Sequence, residues 1–330
     1  MTKRVVLIGH PVAHSLSGAM QQAAFDALGI NATYEQWDRT TLQLADAVAE
    51  VRDDAFLGAN ITIPHKERVV PLIDRSTEDA LATGAVNTLT REGRRLIGHN
   101  TDVPGFAAAL DKLVGRQKMP RQAVVLGAGG GARAVVFGLI RQGFQRVIVF
   151  NRHLHRAEGL VKFFGRSAAH MELKAMPWHE SIIESELTKT RVLVNATSIG
   201  LAGDQSPLPA GVIPGDLLVL DLIYNRTRFL RDAEAAGSSV LDGETMLLHQ
   251  GAAAFSLWTG QPAPLDVMAA ALADARAHGL RSAEGEPAGD EPAAEAAVAA
   301  DAGVEPAAQP RADEAEPAPA DEEAAATTAG

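Results

Sequence analysis

The 330-residue chain contains no cysteine. Disulfides, thiolate nucleophiles and cysteine-ligated zinc are therefore excluded, and the absence fits a reducing, cytoplasmic setting. A chain of this length has enough volume for about two domains with hydrophobic cores and needs no such staples. No apolar run approaches the roughly 20 residues of a membrane span. Only four apolar residues, Val5 to Ile8, precede Gly9, too few for a signal-peptide core, so this stretch reads as a first strand. Basic runs are lacking as well. Residues 1–281 hold 29 bases against 28 acids, which gives nucleic acid no footing. The net charge of −11 arises instead in residues 282–330, where thirteen acids face the single base Arg311. That tail has no aromatic, leucine, isoleucine or methionine. It cannot bury enough apolar surface to offset its chain entropy, and it reads as disordered. It is either a solvating appendage or an acidic interaction segment.

The body alternates two kinds of segment. Short apolar, β-branched runs occupy 5–9, 57–63, 123–127, 146–150, 191–196 and 217–222. Longer amphipathic stretches lie between them at 18–28, 41–52, 103–114, 131–142, 152–164 and 227–236, and two more helices follow at 244–258 and 265–278. Continuous apolar strands separated by helices predict parallel sheets covered on both faces. A polar, basic link at 115–121 and a fresh strand–glycine–helix start near residue 123 predict two such sheets.

That second start carries the clearest chemical signal. Gly127-Ala128-Gly129-Gly130-Gly131-Ala132 fits the dinucleotide fingerprint G-x-G-x-x-A. Gly127 allows the tight turn, Gly129 lets backbone approach a pyrophosphate, and Ala132 permits close helix–strand packing. The helix opening near Gly130 offers free N–H groups to phosphate. A merely glycine-rich turn is the competing reading, but the preceding apolar strand and following amphipathic helix are the context the fingerprint requires. At the end of the next strand, an NAD site places an acid against the ribose 2′-hydroxyl. Here the residues are Asn151-Arg152-His153-Leu154-His155-Arg156, with no acid. Arg152 and Arg156 suit a 2′-phosphate, because a guanidinium offers two donors in one plane. NADP is therefore expected over NAD, with two surface arginines as the alternative.

Three N-terminal segments carry more polar chemistry than a scaffold needs. His14-Ser15-Leu16-Ser17 puts two hydroxyls at a strand-to-helix turn, although Ser17 also reads as a helix N-cap. Asn60-Ile61-Thr62-Ile63-Pro64-His65-Lys66 places Asn60 and Thr62 on one face at the end of a buried strand. Lys66 follows, open to reading as a surface lysine. Asn100-Thr101-Asp102 precedes a helix, where Thr101 or Asp102 also reads as a cap. The histidine pairs His10/His14 and His153/His155 suggest no metal site: Pro11 breaks the first, and the second reads as facing different ways on a helix.

Taken together with Gly84-Ala85-Val86-Asn87-Thr88, Asn195-Ala196-Thr197-Ser198-Ile199-Gly200, Asp221-Leu222-Ile223-Tyr224-Asn225 and Met246-Leu247-Leu248-His249-Gln250, these segments closely resemble the shikimate dehydrogenase family, in the same order, over about residues 4–278. The resemblance implies a two-lobed α/β protein with a disordered tail at 282–330. A substrate-binding lobe comprises residues 1–102 and is completed by 244–281, and a Rossmann-type NADP lobe comprises 103–243. It implies Lys66 and Asp102 as the catalytic pair, with Lys66 acting either as acid and base or as an electrostatic stabiliser of alkoxide. Ser15 and Ser17 are implied for the substrate carboxylate, and Thr62, Asn87, Asp102 and Gln250 for ring hydroxyls, with Asn60 and Tyr224 nearby. The cofactor is implied to meet Glu78, Gly127, Ala128, Gly129, Gly130, Gly131, Asn151, Arg152, His153, Arg156, Thr197, Leu222 and Gly243. The family's reaction is the reversible NADP-dependent reduction of 3-dehydroshikimate to shikimate, on the route to chorismate and the aromatic amino acids, by a cytoplasmic monomer or homodimer. The alternatives are a quinate or aminoshikimate dehydrogenase and a non-catalytic sensor on the same fold. The chain departs from the family at Gly18 and Arg226, where proline is usual, at Gln21, where histidine is common, and at His99, Val103 and His153.

Overall fold

Residues 5–9, apolar up to a glycine, require cover on both faces. In the computed structural model, which describes residues 2–285, they lie in the inner strand β1 (Lys3–Gly9). Helix α1 (Ser17–Ala27) returns the chain to β2 (Ala32–Asp38), and α2 (Leu44–Glu50) returns it to β3 (Phe56–Ile61). A short β4 (Arg75–Ser76) and α3 (Glu78–Thr83) then precede β5 (Thr88–Glu92) and β6 (Arg95–His99). The strand order is β2-β1-β3-β5-β6-β4. β1 runs parallel to β2 and β3, but β5 is antiparallel to both β3 and β6. This sheet is therefore mixed, where the strand–helix alternation predicted a parallel one. The β5–β6 part of this departure comes from the tight turn at Gly93 (φ +64°), which joins the two strands with no crossover helix.

Helix α4 (Asp102–Val114) leads from the first sheet to the second. There β7 (Gln122–Leu126), α5 (Gly130–Arg141), β8 (Arg146–Asn151), α6 (Leu154–Phe164), β9 (Glu172–Pro177), α7 (Glu180–Leu187), β10 (Val192–Asn195), β11 (Leu218–Asp221), α8 (Arg228–Ala235) and β12 (Ser239–Leu241) follow in turn. The order is β12-β11-β10-β7-β8-β9, with every neighbour parallel. Successive residues of each strand feed opposite faces. Val125, Val149 and Val194 pack with Phe106, Leu110, Val135 and Leu139, whereas Val124, Ile148 and Leu193 pack with Ile183, Leu187, Phe229 and Leu230.

The chain then goes back. α9 (Glu244–Thr259) and α10 (Leu265–Gly285) place Phe255, Trp258, Met268 and Leu272 against Val5, Met20 and Phe25 of the first lobe. Two glycines let α4 nest between the lobes. A Cβ at Gly105 would lie 2.7 Å from the Met246 carbonyl of α9, and one at Gly138 of α5 would lie 2.4 Å from the Phe106 ring. α10 runs to Gly285, past the position 282 at which the sequence places the start of the tail. The rest of that tail, 286–330, lies outside the described residues. Among the described residues, no helix is long and apolar enough to cross a membrane.

Candidate active site

The strand ends of both sheets and the first turns of α1, α4 and α5 converge on one cleft. Lys66, on the turn after β3, donates from Nζ to Oδ2 of Asp102, the first residue of α4, at 2.6 Å. Both side chains are withdrawn from solvent, 17% and 5% exposed. The other carboxylate oxygen, Oδ1, accepts from Asn87 Nδ2 at 2.9 Å. Asn87 is shared further: its Nδ2 also lies 2.9 Å from Thr101 Oγ1 and 3.2 Å from Gln250 Oε1, and its Oδ1 accepts from the Thr101 backbone N–H at 2.7 Å. Thr101 occupies the N-cap position of α4, yet its hydroxyl does not cap the helix. It is used by Asn87 instead, so the reading of Thr101 as a side-chain cap is not met.

Asn60 braces this arrangement from below. Its Nδ2 donates to the Asn87 carbonyl and to Thr88 Oγ1, both at 3.1 Å, and its Oδ1 accepts from Tyr34 OH at 2.8 Å, leaving one lone pair. Thr62 sits over Gly9, where a Cβ would meet its methyl group at 2.3 Å. Ser17 is the first residue of α1, whose N-cap is Leu16, so Ser17 is not a cap. Its backbone N–H donates to Ser15 Oγ at 3.3 Å. Gln21, at the position of the common histidine, donates instead to the Gly251 carbonyl at 2.9 Å. Tyr224 reaches across from the second lobe, donating from its hydroxyl to the His14 carbonyl at 3.1 Å, and burial pushes its pKa up.

Tyr34 is the residue that sequence reasoning missed. It lies on the polar edge strand β2, and burial drives its phenol pKa far above the ordinary value, with the Ser17 hydroxyl partly opposing the shift. A signal was present: the chain has only two tyrosines, Tyr34 and Tyr224, and both hydroxyls bond at this cleft.

The dinucleotide signature forms the opposite wall. Gly127 has φ +104°, and a Cβ there would strike the Ala196 carbonyl at 2.7 Å, so only glycine is unstrained. Gly129 has nothing within 4 Å over its Cα, while Ala132 is fully buried against the sheet. An open cradle at the start of α5 with unpaired N–H groups fits a pyrophosphate. Thr197 borders the Gly127 turn, and Leu222 lies against both Gly131 and Gly243, so these predicted cofactor residues come together. Arg152 is exposed beyond β8, beside Asn151, whose Nδ2 holds the His153 carbonyl at 2.9 Å. His153 is the N-cap of α6 and not part of its helical face. Its ring lies 5.9 Å from that of His155, whereas helical spacing predicts that the two face apart. Arg156 follows on the first turn of α6.

Glu78 is not brought to this wall. Its neighbour Asp79 pairs with Arg141 at the far end of α5 (3.0 Å), and Thr83, at the other end of α3, meets Arg133 near the start. Eleven residues of helix separate Gly130 from Arg141, about 16 Å along the axis. Glu78 instead lines a groove of about 510 Å³ with His99, Pro104 and Leu257.

A second polar cluster, also unforeseen, lies under the cofactor wall. Asp221, fully buried at the end of β11, accepts from Asn195 Nδ2 (3.0 Å), the Ile223 N–H (3.1 Å) and Thr227 Oγ1 (2.7 Å). Burial pushes its pKa up to about 7, against these three hydrogen bonds, which favour the charged form.

Residues 7–89 match the family described as shikimate dehydrogenase substrate binding domain. Residues 110–199 match shikimate / quinate 5-dehydrogenase, and residues 243–273 match shikimate 5′-dehydrogenase C-terminal domain. The shikimate dehydrogenase (NADP(+)) of Methanopyrus kandleri is 42% identical over 276 residues, spanning 82% of this chain and 95% of its own length. That of Thermus thermophilus is 44% identical over 260 residues, or 78% and 92% of the two chains. In structure, shikimate 5-dehydrogenase from Thermus thermophilus, solved in complex with NADP(H) and shikimate, superposes with a TM-score of 0.73 at 42% identity, covering 83% of this chain and 100% of that one.

Proposed function

Because this chain belongs to the shikimate dehydrogenase family, we propose that it interconverts 3-dehydroshikimate and shikimate with NADP, on the route to chorismate, with Lys66 and Asp102 handling the proton. The observation that carries this reading is the 2.6 Å Lys66–Asp102 pair, held in a cleft that faces the α5 cradle. When bound, NADP supplies the hydride acceptor or donor. Gly127, Gly129, Gly130 and Gly131 would hold its pyrophosphate, Thr197, Leu222 and Gly243 would meet its nicotinamide portion, and Asn151, Arg152, His153 and Arg156 would take its 2′-phosphate.

The protein's own part is orientation and proton transfer. Reduction requires a proton on the carbonyl oxygen as hydride reaches the carbon, and the Lys66 ammonium donates it. Asp102 holds the lysine in place. In oxidation the amine takes the hydroxyl proton back. Ser15, Ser17 and Tyr224 orient the carboxylate end of the ring. Thr62, Asn87 and Gln250, braced by Asn60 and Tyr34, meet the ring hydroxyls. Such a polyol acid needs many fixed donors and acceptors, and the interlocked amides provide them at little cost in reorganisation. Residues 1–102 with 244–281 then act as the substrate lobe, and 103–243 as the NADP lobe.

The test is kcat/KM on shikimate and on quinate, each with NADP and with NAD. Shikimate with NADP is expected to be the best pair. Faster turnover of quinate with NAD would overturn the substrate and cofactor assignment, and tight shikimate binding without turnover would identify a sensor.

A further inference from the structure

The catalytic turn and the cofactor cradle touch directly. The methylene stem of Lys66 rests on Gly130: a Cβ there would lie 2.8 Å from Lys66 Cβ and 3.2 Å from its Cδ. One turn further along α5, Arg133 Nε donates to Oε2 of Glu67, the residue next to the lysine, at 2.9 Å. The same guanidinium donates from Nη1 to the Thr83 carbonyl at 3.1 Å and lies 4.7 Å from the centroid of the Phe163 ring. It is largely buried, 15% exposed. From the opposite side, the Val86 N–H holds the Lys66 carbonyl at 2.8 Å.

A lysine side chain carries about 2 kcal/mol of rotamer entropy, and its ammonium is a point charge with no preferred fork geometry. Left to itself, Lys66 would sample many positions around the substrate oxygen. Here its backbone, its stem and its neighbour are fixed separately, and two of those three anchors are residues of α5. An arginine is suited to this place, since its planar donors serve Glu67 and Thr83 at once while its face packs on an aromatic ring.

We propose that Arg133 and Glu67 are positioning residues that, with Gly130 as the floor under Lys66, tie the seating of the dinucleotide to the alignment of the Lys66 amine. The inference rests on the proposed function and deepens it. The helix whose first turn receives the pyrophosphate also holds the proton-transfer turn, so Lys66 is aligned by the wall against which hydride is exchanged. The contacts of Arg133 are with Glu67, Thr83 and Phe163, and neither it nor Glu67 is assigned to substrate or cofactor.

The experiment uses the full chain and four proteins: wild type, Glu67→Gln, Arg133→Lys and Arg133→Ala. Steady-state kinetics with shikimate and NADP, NADP affinity by calorimetry, and acetic anhydride labelling of Lys66 in cofactor-free protein, read by mass spectrometry, are measured for each. Misplacing the amine is expected to lower kcat by about tenfold in Glu67→Gln and more in Arg133→Ala, with KM for shikimate and Kd for NADP within about twofold. Arg133→Lys is expected to fall between wild type and Arg133→Ala. Labelling of Lys66 is expected to speed up by several-fold as the lysine is released. Unchanged kcat in Glu67→Gln, or a loss of kcat without faster labelling, would overturn the inference. So would a raised NADP Kd with kcat intact, which would make Arg133 a cofactor contact. Should an Arg133 variant fail to fold, Glu67→Gln, altered at the more exposed partner, still decides the matter. Wild-type protein inert towards shikimate and NADP would overturn the functional reading and this inference with it, whereas active wild type with unaltered variants overturns the inference alone.

Discussion

Replacing Lys66 by alanine separates catalysis from stability at one position. Among the described residues, the lysine contributes the only charged donor to Asp102, at 2.6 Å and in a partly buried site. Its removal takes away the proposed proton donor, and a general acid of this kind is worth about 10²–10⁴ in rate, or roughly 3–5 kcal/mol of barrier. It also strands the Asp102 carboxylate, 5% exposed, with Asn87 Nδ2 as its remaining side-chain donor. Leaving one member of a buried ion pair costs about 3 kcal/mol of stability. The two losses respond differently to a second change. Asp102→Asn removes the stranded charge, so the double variant is expected to be more stable than Lys66→Ala alone. Its kcat is expected to stay low and to fall by less than the sum of the single effects, because the two residues act as one unit. The assays are stopped-flow reduction of NADP by shikimate and urea unfolding of each variant. Wild-type kcat in Lys66→Ala would refute the catalytic reasoning. Further destabilisation on adding Asp102→Asn would refute the electrostatic reasoning.

Other expectations follow from single contacts. Gly127→Ala forces a side chain into a φ of +104° and against the Ala196 carbonyl, so it should weaken NADP binding measurably by calorimetry and lower stability by about 1–3 kcal/mol. Arg152→Ala should raise KM for NADP by about tenfold and leave KM for NAD unchanged, since one charge-assisted contact to the 2′-phosphate is lost; equal effects on both cofactors would refute its role. Asp221 binds its proton more tightly in the folded protein than in the unfolded chain, with a pKa of about 7. Its contribution is therefore fully present below the unfolded pKa near 3.9 and is lost as pH rises towards and through 7. Asp221→Asn should remove that part of the pH dependence in urea titrations, and an unchanged profile would count against the shift.

The strands that were legible and those that were not divide by position. All six apolar runs became inner strands, β1, β3, β7, β8, β10 and β11, whose two covered faces demand hydrophobic residues at every position. The four edge strands, β2, β4, β9 and β12, were invisible because an edge tolerates polar residues: Ala32–Asp38 has only Ala32 and Trp37 fully buried. The hairpin β5–β6 was not among the predicted strands for a related reason: its turn, Arg91, Glu92, Gly93, Arg94 and Arg95, carries no apolar residue. The site shows the same pattern. The glycines announce themselves by type and spacing, whereas Lys66 and Asp102 are singled out by the family resemblance alone. Tyr34, Thr101 and Asp221 do not announce themselves, because their importance comes from partners far away in sequence. Glu78, placed by family likeness alone, opens α3 next to Asp79, which pairs with Arg141 at the far end of α5.

Helix α4 limits how this protein can be recombined with its relatives. A thirteen-residue rod about 20 Å long, it starts with Asp102 of the proposed proton relay and ends with Val114 in the core of the second sheet. A crossover between parental genes at residue 102 would separate Asp102 from the helix turn that aims it, although Phe106 and Gly138, which pack with no slack, would stay together. A junction in the loop at 115–121 keeps the relay with its own lobe but still asks the incoming half to supply a glycine at 138 and a complementary groove for Phe106, Leu110 and Val114. Interchangeable halves must therefore be chosen by the fit of one helix, and overall similarity of the parents is a poor guide to which chimaeras will be active.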